Sequence, residues 1–203
     1  LSRPARYRAI VNCGVPVRGM AVEIRGETGK ALPDHHIGKV WCSGTSLMQG
    51  YYRDPEATAA CMADGWLDTG DMGYMANGHL FIVGRAKDMI IINGKNHWPQ
   101  DIEWAVEQLP GFNHGDIAAF AIETDGGEEI PAVLVHCRVS DPVERLKLHD
   151  TIRDKVRSIT GMNCLVELVP PRTLPRTSSG KLSRAKAKKL YLEGAIAPFS
   201  LAA

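Results

Sequence analysis

The stretch WLDTGDMGYMANGHLFIVGR, residues 66–85, carries the clearest fold signal in the chain. Two apolar segments flank Asn77-Gly78, a residue pair strongly favoured in two-residue hairpin turns because both positions require a positive φ. MAVEIR, at 20–25, and GKVWCSG, at 38–44, are two more short apolar runs bounded by turn residues. The first part of the chain is therefore predicted to be β-rich, with short strands forming a sheet or a distorted barrel.

From about Lys87 the pattern changes to an alternation of strands and helices. Strands are predicted there at 88–94, 116–123, 130–139 and 164–169, and helices at 99–109, 141–160 and 182–193. One helix is predicted before Lys87, at 54–62. The helix at 54–62 begins with Asp54 as its cap and Pro55 at its first position. The order of elements after Lys87 fits a compact α+β domain of roughly 110 residues.

The composition is that of an ordinary globular protein. Apolar residues make up 44% of the 203 residues, charged residues make up 23%, and the formal net charge is +1. This balance argues against a dedicated nucleic-acid or membrane-surface protein, and no apolar run approaches the roughly 20 residues that span a bilayer. The five cysteines are scattered, which favours a reducing compartment, and we expect a cytoplasmic protein.

Two residues near the end of the hairpin could contact a ligand. Asp71 follows a glycine, and its two carboxylate oxygens could accept from both hydroxyls of a ribose. It could equally be a turn aspartate that satisfies backbone N–H groups. Arg85 offers a planar fork of donors for sugar hydroxyls or phosphate oxygens, and the alternative is a solvated surface arginine.

A lysine in the Pro/Ser/Thr-rich segment near the C-terminus is a further candidate. Lys181 ends the stretch PRTSSGK, at 175–181, where a mobile loop could carry a compact ammonium group into a site. A positioned cation there would stabilise charge developing on a reacting phosphate. The alternative is a solvated loop lysine. The stretch is not a Walker motif, because the leading glycine is absent.

The last predicted helix is strongly basic, with Arg184, Lys186, Lys188 and Lys189. A basic face of this kind could bind nucleic acid, phosphate groups or an acidic protein, or it could be a solvated surface. The seven histidines show no spacing typical of metal ligands, so no metal site is predicted in the chain.

Three stretches resemble, in the correct order, the late motifs of the adenylate-forming superfamily. They are GKVWCSGTSLMQGYYRDPEATA (38–59), GWLDTGDMGYMANGHLFIVGRAKDMIIINGKNHWPQDIE (65–103) and PPRTLPRTSSGKLSR (170–184). That superfamily includes acyl-CoA synthetases, luciferases and the adenylation domains of peptide synthetases. The likeness extends from about Cys13 to Glu193.

The resemblance implies a role for each candidate residue. Asp71 matches the ribose-binding aspartate, Arg85 a second nucleotide contact, and Ile82 a residue that packs near the nucleoside. Lys181 matches the lysine needed for adenylation. ATP or AMP and Mg²⁺ are implied for the full-length enzyme, with the magnesium ligand outside this chain.

The resemblance also implies a domain organisation. Residues 1–84 would be the C-terminal end, or β subdomain, of the large adenylation domain, and 89–203 the small mobile C-terminal domain. The hinge would be 85–88, with Asp88 as the residue about which the small domain rotates. Gly94 would lie in the loop that moves toward the acceptor thiol. Since most of the large domain is missing and the chain does not begin with Met, we expect a fragment that is inactive alone.

Two stretches resemble fatty acyl-AMP ligases in particular, namely INGKNHWPQDIE (92–103) and TSSGKLSRAKAKKLYLEGAI (177–196). This likeness implies that a fatty acid is activated as its adenylate and passed to an acyl carrier protein, an acidic partner that the basic helix would complement. The alternatives are an acyl-CoA ligase, with CoA as the acceptor, and a non-catalytic module that docks a carrier protein.

Overall fold

The computed structural model describes residues 9–92, 94–124 and 126–201. The chain divides into two compact units, with the boundary between Lys87 and Asp88. The elements of the first unit are β1 (Met20–Arg25), β2 (Gly38–Gly44), α1 (Pro55–Cys61), β3 (Met62–Ala63), β4 (Trp66–Ala76) and β5 (His79–Arg85). A short 3₁₀ helix, Ala86–Asp88, crosses the boundary. The elements of the second unit are β6 (Ile90–Ile92), β7 (Lys95–His97), α2 (Pro99–Glu107), β8 (Ile117–Glu123), β9 (Glu129–His136), α3 (Pro142–Thr160), β10 (Leu165–Val169) and α4 (Arg184–Leu192).

The first unit is built on one antiparallel sheet. The long strand β4 pairs with β2, β3 and β5, and β1 pairs with β2. The predicted hairpin is confirmed, because β4 and β5 are joined by Asn77 and Gly78, with φ of 50° and 79°. The predicted cap of α1 is also present, since the Asp54 side chain accepts from the Ala57 amide at 2.9 Å.

The helix predicted at 54–62 is one residue too long. It ends at Cys61, and Met62 belongs to β3, which turns back onto β4 through Asp64 and Gly65. Both turn residues have positive φ, 50° and 76°. Pairing with β4 therefore takes Met62 out of the helix.

The second unit is an α+β sandwich around a three-stranded sheet in the order β10-β9-β8. Strands β8 and β9 are antiparallel, whereas β9 and β10 are parallel and joined through α3. Both faces of the sheet are covered, so the central strands are apolar on both sides. One face packs with α2 and α3 in a core that includes Val106, Val135 and Val156, and the other packs with α4 through Ala187 and Leu134.

The predicted α+β class is confirmed, and every predicted strand and helix of the second half has a counterpart. One strand of this unit was not predicted. The run predicted at 88–94 forms only the first arm of a hairpin, β6, whose second arm is the short polar strand β7. Asn93 and Asp125 lie outside the described residues. None of the described helices is long and apolar enough to cross a membrane.

Candidate active site

A bulge in β4 presents Asp71. Strands β2 and β4 lose register around Val40, which faces the three-residue stretch 69–71. The Thr69 hydroxyl donates to the Val40 carbonyl at 2.8 Å and accepts from the Asp71 amide at 3.1 Å. Gly70, with φ of 72°, donates its amide to the Asp68 carboxylate at 2.9 Å. The sequence DTGD therefore forms a bulge that its own hydrogen bonds stabilise. Bulges of this kind often redirect side chains next to binding sites.

Asp71 and Arg85 lie opposite each other on β4 and β5 and form an ion pair, with 3.1 Å between Arg85 Nε and Asp71 Oδ1. Their side chains are 29% and 56% exposed, so the pair adds little to stability. Within the described part of the chain, Asp71 Oδ2 and the terminal nitrogens of Arg85 have no recorded partner. The sequence placed both residues in one site, and the structure brings them together with an acceptor and donors left over.

Ile82 is half-buried in β5, across from Gly73 of β4. The two strands approach closely here, since a Cβ on Gly73 would lie 2.5 Å from the Phe81 carbonyl oxygen and 3.4 Å from Ile82 Cδ1. Glycine at this position keeps β5 against β4. The close approach holds Ile82 on the same hairpin as the Asp71–Arg85 pair.

Lys181 lies on a hydrogen-bonded turn. The Thr177 amide donates to the Lys181 carbonyl at 2.7 Å, and the Lys181 amide donates to the Thr177 hydroxyl at 3.1 Å. The Gly180 amide closes the turn onto the Thr177 carbonyl at 2.9 Å. The side chain of Lys181 is exposed, and it forms no ion pair with any described residue. The segment expected to be a mobile loop thus contains a hydrogen-bonded turn that presents the ammonium group of Lys181.

Two arginines fix this turn to the rest of the second unit. On one side, Arg176 donates to the carbonyls of Gly180 at 3.0 Å and Gly115 at 3.2 Å. On the other side, Arg184 at the start of α4 binds Glu103 of α2 through two bonds of 2.7 and 2.6 Å. The turn that carries Lys181 is therefore held on both sides, by Arg176 and by Arg184.

Asp88 also contacts Arg184. Arg184 Nη1 lies 3.3 Å from Asp88 Oδ2, and both side chains are mostly buried, at 21% and 16% exposure. The Glu103 carboxylate is 9% exposed and also accepts from the Ala119 amide of β8 at 3.0 Å. The hydrogen bond to Glu103, above all, raises the pKa of Arg184. Arg184 therefore does not belong to the exposed basic face predicted for the last helix, which retains Lys186, Lys188 and Lys189.

A buried histidine holds the segment that leads into the turn. His136 Nε2 accepts from the Leu174 amide at 3.1 Å, and its Nδ1 lies 3.3 Å from Asp116 Oδ1. Burial lowers the pKa of His136 despite the nearby Asp116. Burial alone would raise the pKa of Asp116, but hydrogen bonds from Arg138 and the Asn113 amide hold it well below its usual value. The sequence analysis missed this cluster, because its members are far apart in the chain and form no motif.

Gly94 lies in the turn between β6 and β7, with φ of 70° and open space where a Cβ would stand. Its conformation, rather than crowding, favours glycine. Within the described ranges, no group of three or more His, Cys, Asp or Glu side chains could hold a metal ion.

The chain is similar to known proteins over most of its length. The chain is 44% identical over 191 residues to a putative acyl-CoA synthetase of Caulobacter vibrioides, covering 93% of this chain and 33% of the relative. It is 34% identical over 209 residues to the medium-chain-fatty-acid–[acyl-carrier-protein] ligase JamA of Moorena producens, covering 93% and 34%. A solved structure from a study of fatty acyl-adenylate ligases of E. coli and L. pneumophila is 40% identical, with a TM-score of 0.82 over 96% of this chain and 35% of that one. No family model matches the chain.

The chain belongs to the adenylate-forming superfamily. It spans about a third of the length of the curated relatives it matches. The resemblance inferred from the three sequence motifs is thereby confirmed. The first unit of the chain contains the Asp71–Arg85 pair, and the second contains the Lys181 turn.

Proposed function

We propose that the chain is part of a fatty acyl-AMP ligase. In the first half-reaction, a carboxylate oxygen attacks the α-phosphorus of ATP, forming acyl-AMP and releasing pyrophosphate. In the second, a thiol attacks the acyl carbonyl carbon, forming a thioester and releasing AMP. The observation that carries the proposal is Lys181, an exposed ammonium group on a hydrogen-bonded turn with no ion-pair partner in the described chain. A cation mounted in this way can stabilise charge that develops on a phosphate in the transition state.

The nucleotide would be held in the first unit. Asp71 Oδ2 is available to accept from a ribose hydroxyl, while Arg85 keeps its terminal donors for a sugar or phosphate oxygen. Ile82 supplies an apolar contact to the nucleoside from the same hairpin. The Mg²⁺ that accompanies ATP would be bound by residues outside this chain.

The two units would be parts of two domains. Residues 1–84 belong in this proposal to the large adenylation domain, 85–88 form the hinge, and 89–203 form the small mobile domain. Because the Lys181 turn is anchored at both ends, we infer that Lys181 moves with the whole small domain rather than by loop motion. Rotation about Asp88 would withdraw Lys181 and bring the Gly94 turn toward the acceptor thiol.

An acyl carrier protein is the proposed acceptor. The basic helix α4, with the exposed Lys186 and Lys189 and the half-buried Lys188, would complement an acidic carrier, and the relative JamA is named as an acyl-carrier-protein ligase. CoA is the second candidate, because the relative with 44% identity is named an acyl-CoA synthetase. A cytoplasmic location is supported by the five cysteines, all of them free thiols.

The test is a chimera in which this chain replaces the matching third of the Caulobacter relative. With ATP and a fatty acid, it should catalyse ATP–pyrophosphate exchange, and the chain alone should not, because most of the substrate-positioning residues would be missing. Lys181→Ala should lower acyl-AMP formation at least about 100-fold and largely spare thioester formation from pre-made acyl-AMP. Offering either CoA or a carrier protein would identify the acceptor.

Lys186→Ala, at an exposed lysine of α4, is the matched lysine control for the first half-reaction. Equal losses of both half-reactions in Lys181→Ala would contradict the role of this lysine. Exchange by the chain alone would show that it already holds a complete adenylation site.

A further inference from the structure

A cleft of about 680 Å³ opens in the second unit, next to the segment that leads to Lys181. Its lining includes the buried Asp116 and His136 and three arginines, Arg138, Arg172 and Arg176. The volume lies in the range of small-molecule sites, roughly 300–1,000 Å³. The proposed adenylation and acyl-transfer steps assign no ligand to this cleft.

The acidic group of the cleft is already occupied. Arg138 binds both oxygens of Asp116, at 2.7 and 3.1 Å, and the Asn113 amide and His136 also contact this carboxylate. Both ring nitrogens of His136 are engaged as well, one with Asp116 and the other with the Leu174 amide. The floor of the cleft is therefore a fixed network in which one carboxylate neutralises one guanidinium.

The other two arginines keep their charge. Arg176 donates to the carbonyls of Gly180 and Gly115, which hold the guanidinium in place without neutralising it. Neither Arg172 nor Arg176 forms an ion pair with a described residue, and both side chains belong to exposed residues. Both residues line the same cleft as Arg138. Two uncompensated positive charges thus line a cleft with an ordered floor.

The backbone of Arg172 is a separate observation. The turn that starts at Pro170 is closed by the Thr173 amide, 3.4 Å from the Pro170 carbonyl, and Arg172 is its third residue, with φ of 68°. Glycine or asparagine is favoured at such a position, and a long side chain is sterically disfavoured there. Residues held in unfavourable conformations concentrate at functional sites. The backbone conformation therefore marks Arg172 as a candidate functional residue of the cleft.

We propose that this cleft binds the phosphate group of a small molecule, held by Arg172 and Arg176. A guanidinium group matches two phosphate oxygens with two parallel donors, and each such bond is strengthened by charge. The phosphate could come from pyrophosphate or from a nucleotide such as CoA, and the chemistry of recognition is the same. All residues that line the cleft belong to the second unit. Phosphate binding can therefore be tested on this chain alone, without ligase activity.

The test is a titration of the 203-residue chain at constant ionic strength with inorganic phosphate, pyrophosphate and adenosine 3′,5′-bisphosphate. The Leu174 amide and the His136 ring should show saturable chemical-shift changes in NMR spectra. Tighter binding of pyrophosphate would identify the leaving group of adenylation as the ligand, and tighter binding of the bisphosphate would identify a nucleotide. Either result supports the site.

Arg172→Gly is the decisive variant. It should weaken binding about tenfold or more, because a charged hydrogen bond is lost. It should also hold or raise the melting temperature, because glycine relieves the positive φ. Lys30→Ala removes an exposed lysine of the first unit, outside the cleft, and should bind as the unchanged chain does.

Three results would overturn the proposal. They are the absence of saturable binding, unchanged affinity in Arg172→Gly, and an equal loss of affinity in Lys30→Ala, which would indicate a general charge effect.

Discussion

Arg184 holds three separate parts of the second unit through a single guanidinium group. It binds the buried Glu103 of α2 twice, contacts Asp88 where the unit begins, and starts the helix that follows Lys181. Glu103 in turn accepts from the Ala119 amide at the open edge of β8. Arg184→Ala would leave Glu103 buried without its cation, which typically costs about 3–5 kcal/mol. We expect that loss in the unfolding free energy of the second unit, measured by hydrogen exchange of the β8 amides, with Ala119 among the most affected.

Two variants separate the Glu103 contact from the general effect of charge. Lys186→Ala, two residues along the same helix but exposed, should change the unfolding free energy by less than about 0.5 kcal/mol. Arg184→Lys keeps the charge but loses the paired fork, so its stability should lie between those of the alanine variant and the unchanged chain. A loss below about 1 kcal/mol in Arg184→Ala would mean that the network is too solvated to matter.

The sequence indicated that Arg184 was basic and helical, but not that it is half-buried. Its partner Glu103 lies 81 residues earlier in the chain. The spacing of four basic residues on one helix does not reveal which of them faces a buried carboxylate. Asp71 and Lys181, by contrast, bond within local motifs, to Thr69 and Thr177, and Arg85 reaches Asp71 across a single hairpin. Hydrogen bonds within a motif could therefore be predicted from the sequence, whereas the pairing of Arg184 with Glu103 could not.

At the scale of elements, the hairpin of β4 and β5 sets the position of Asp71, and two glycines of β4 test it in different ways. Gly70 has φ of 72° and open space for a Cβ, whereas a Cβ on Gly73 would lie 2.5 Å from a backbone oxygen of β5. Gly70→Ala should therefore cost only the left-handed backbone penalty, about 1–2 kcal/mol. Gly73→Ala should cost about 3 kcal/mol or more, since the strands must separate.

Hydrogen exchange of the β4 and β5 amides in rising urea would measure this difference in the first unit, whereas tryptophan fluorescence would also report Trp98 and Trp104 of the second. The two losses of unfolding free energy should be additive in the double variant, because Gly70 acts through φ and Gly73 through a close contact. Equal costs for the two variants would show that β5 does not press on β4 at Gly73.

Elements with strong local signals were predicted well, and short ones were not. Helix α1 starts at Asp54 and Pro55 as expected. The hairpin of β4 and β5 turns at Asn77-Gly78, also as expected. Strand β3 was missed although Asp64-Gly65 is the same kind of turn signal, because its two residues extend a helical run. Strand β7 was missed because Lys95–His97 is short and polar, and only pairing with β6 makes it a strand.

At the scale of the whole molecule, the two units differ in how much core they contain. Among the described residues of the first unit, only Ile24, Val40 and Val83 are nearly fully buried apolar side chains. Both core clusters of the chain lie in the second unit, on the two faces of its sheet. Apolar burial is the main favourable contribution to folding, so the second unit has the larger reserve of stability.

The chain should therefore unfold in two steps, the first unit before the second. Hydrogen exchange in rising urea should release the amides of β2 and β4 first and those of β8 and β9 later. The variants above provide the internal check: Gly73→Ala should shift only the early step and Arg184→Ala only the late one, because each acts within one unit. A single transition, shifted by both variants alike, would show that the units stabilise each other and fold as one. Two independent steps would support the hinge at Asp88, because a domain that rotates between half-reactions must hold its own fold without its neighbour.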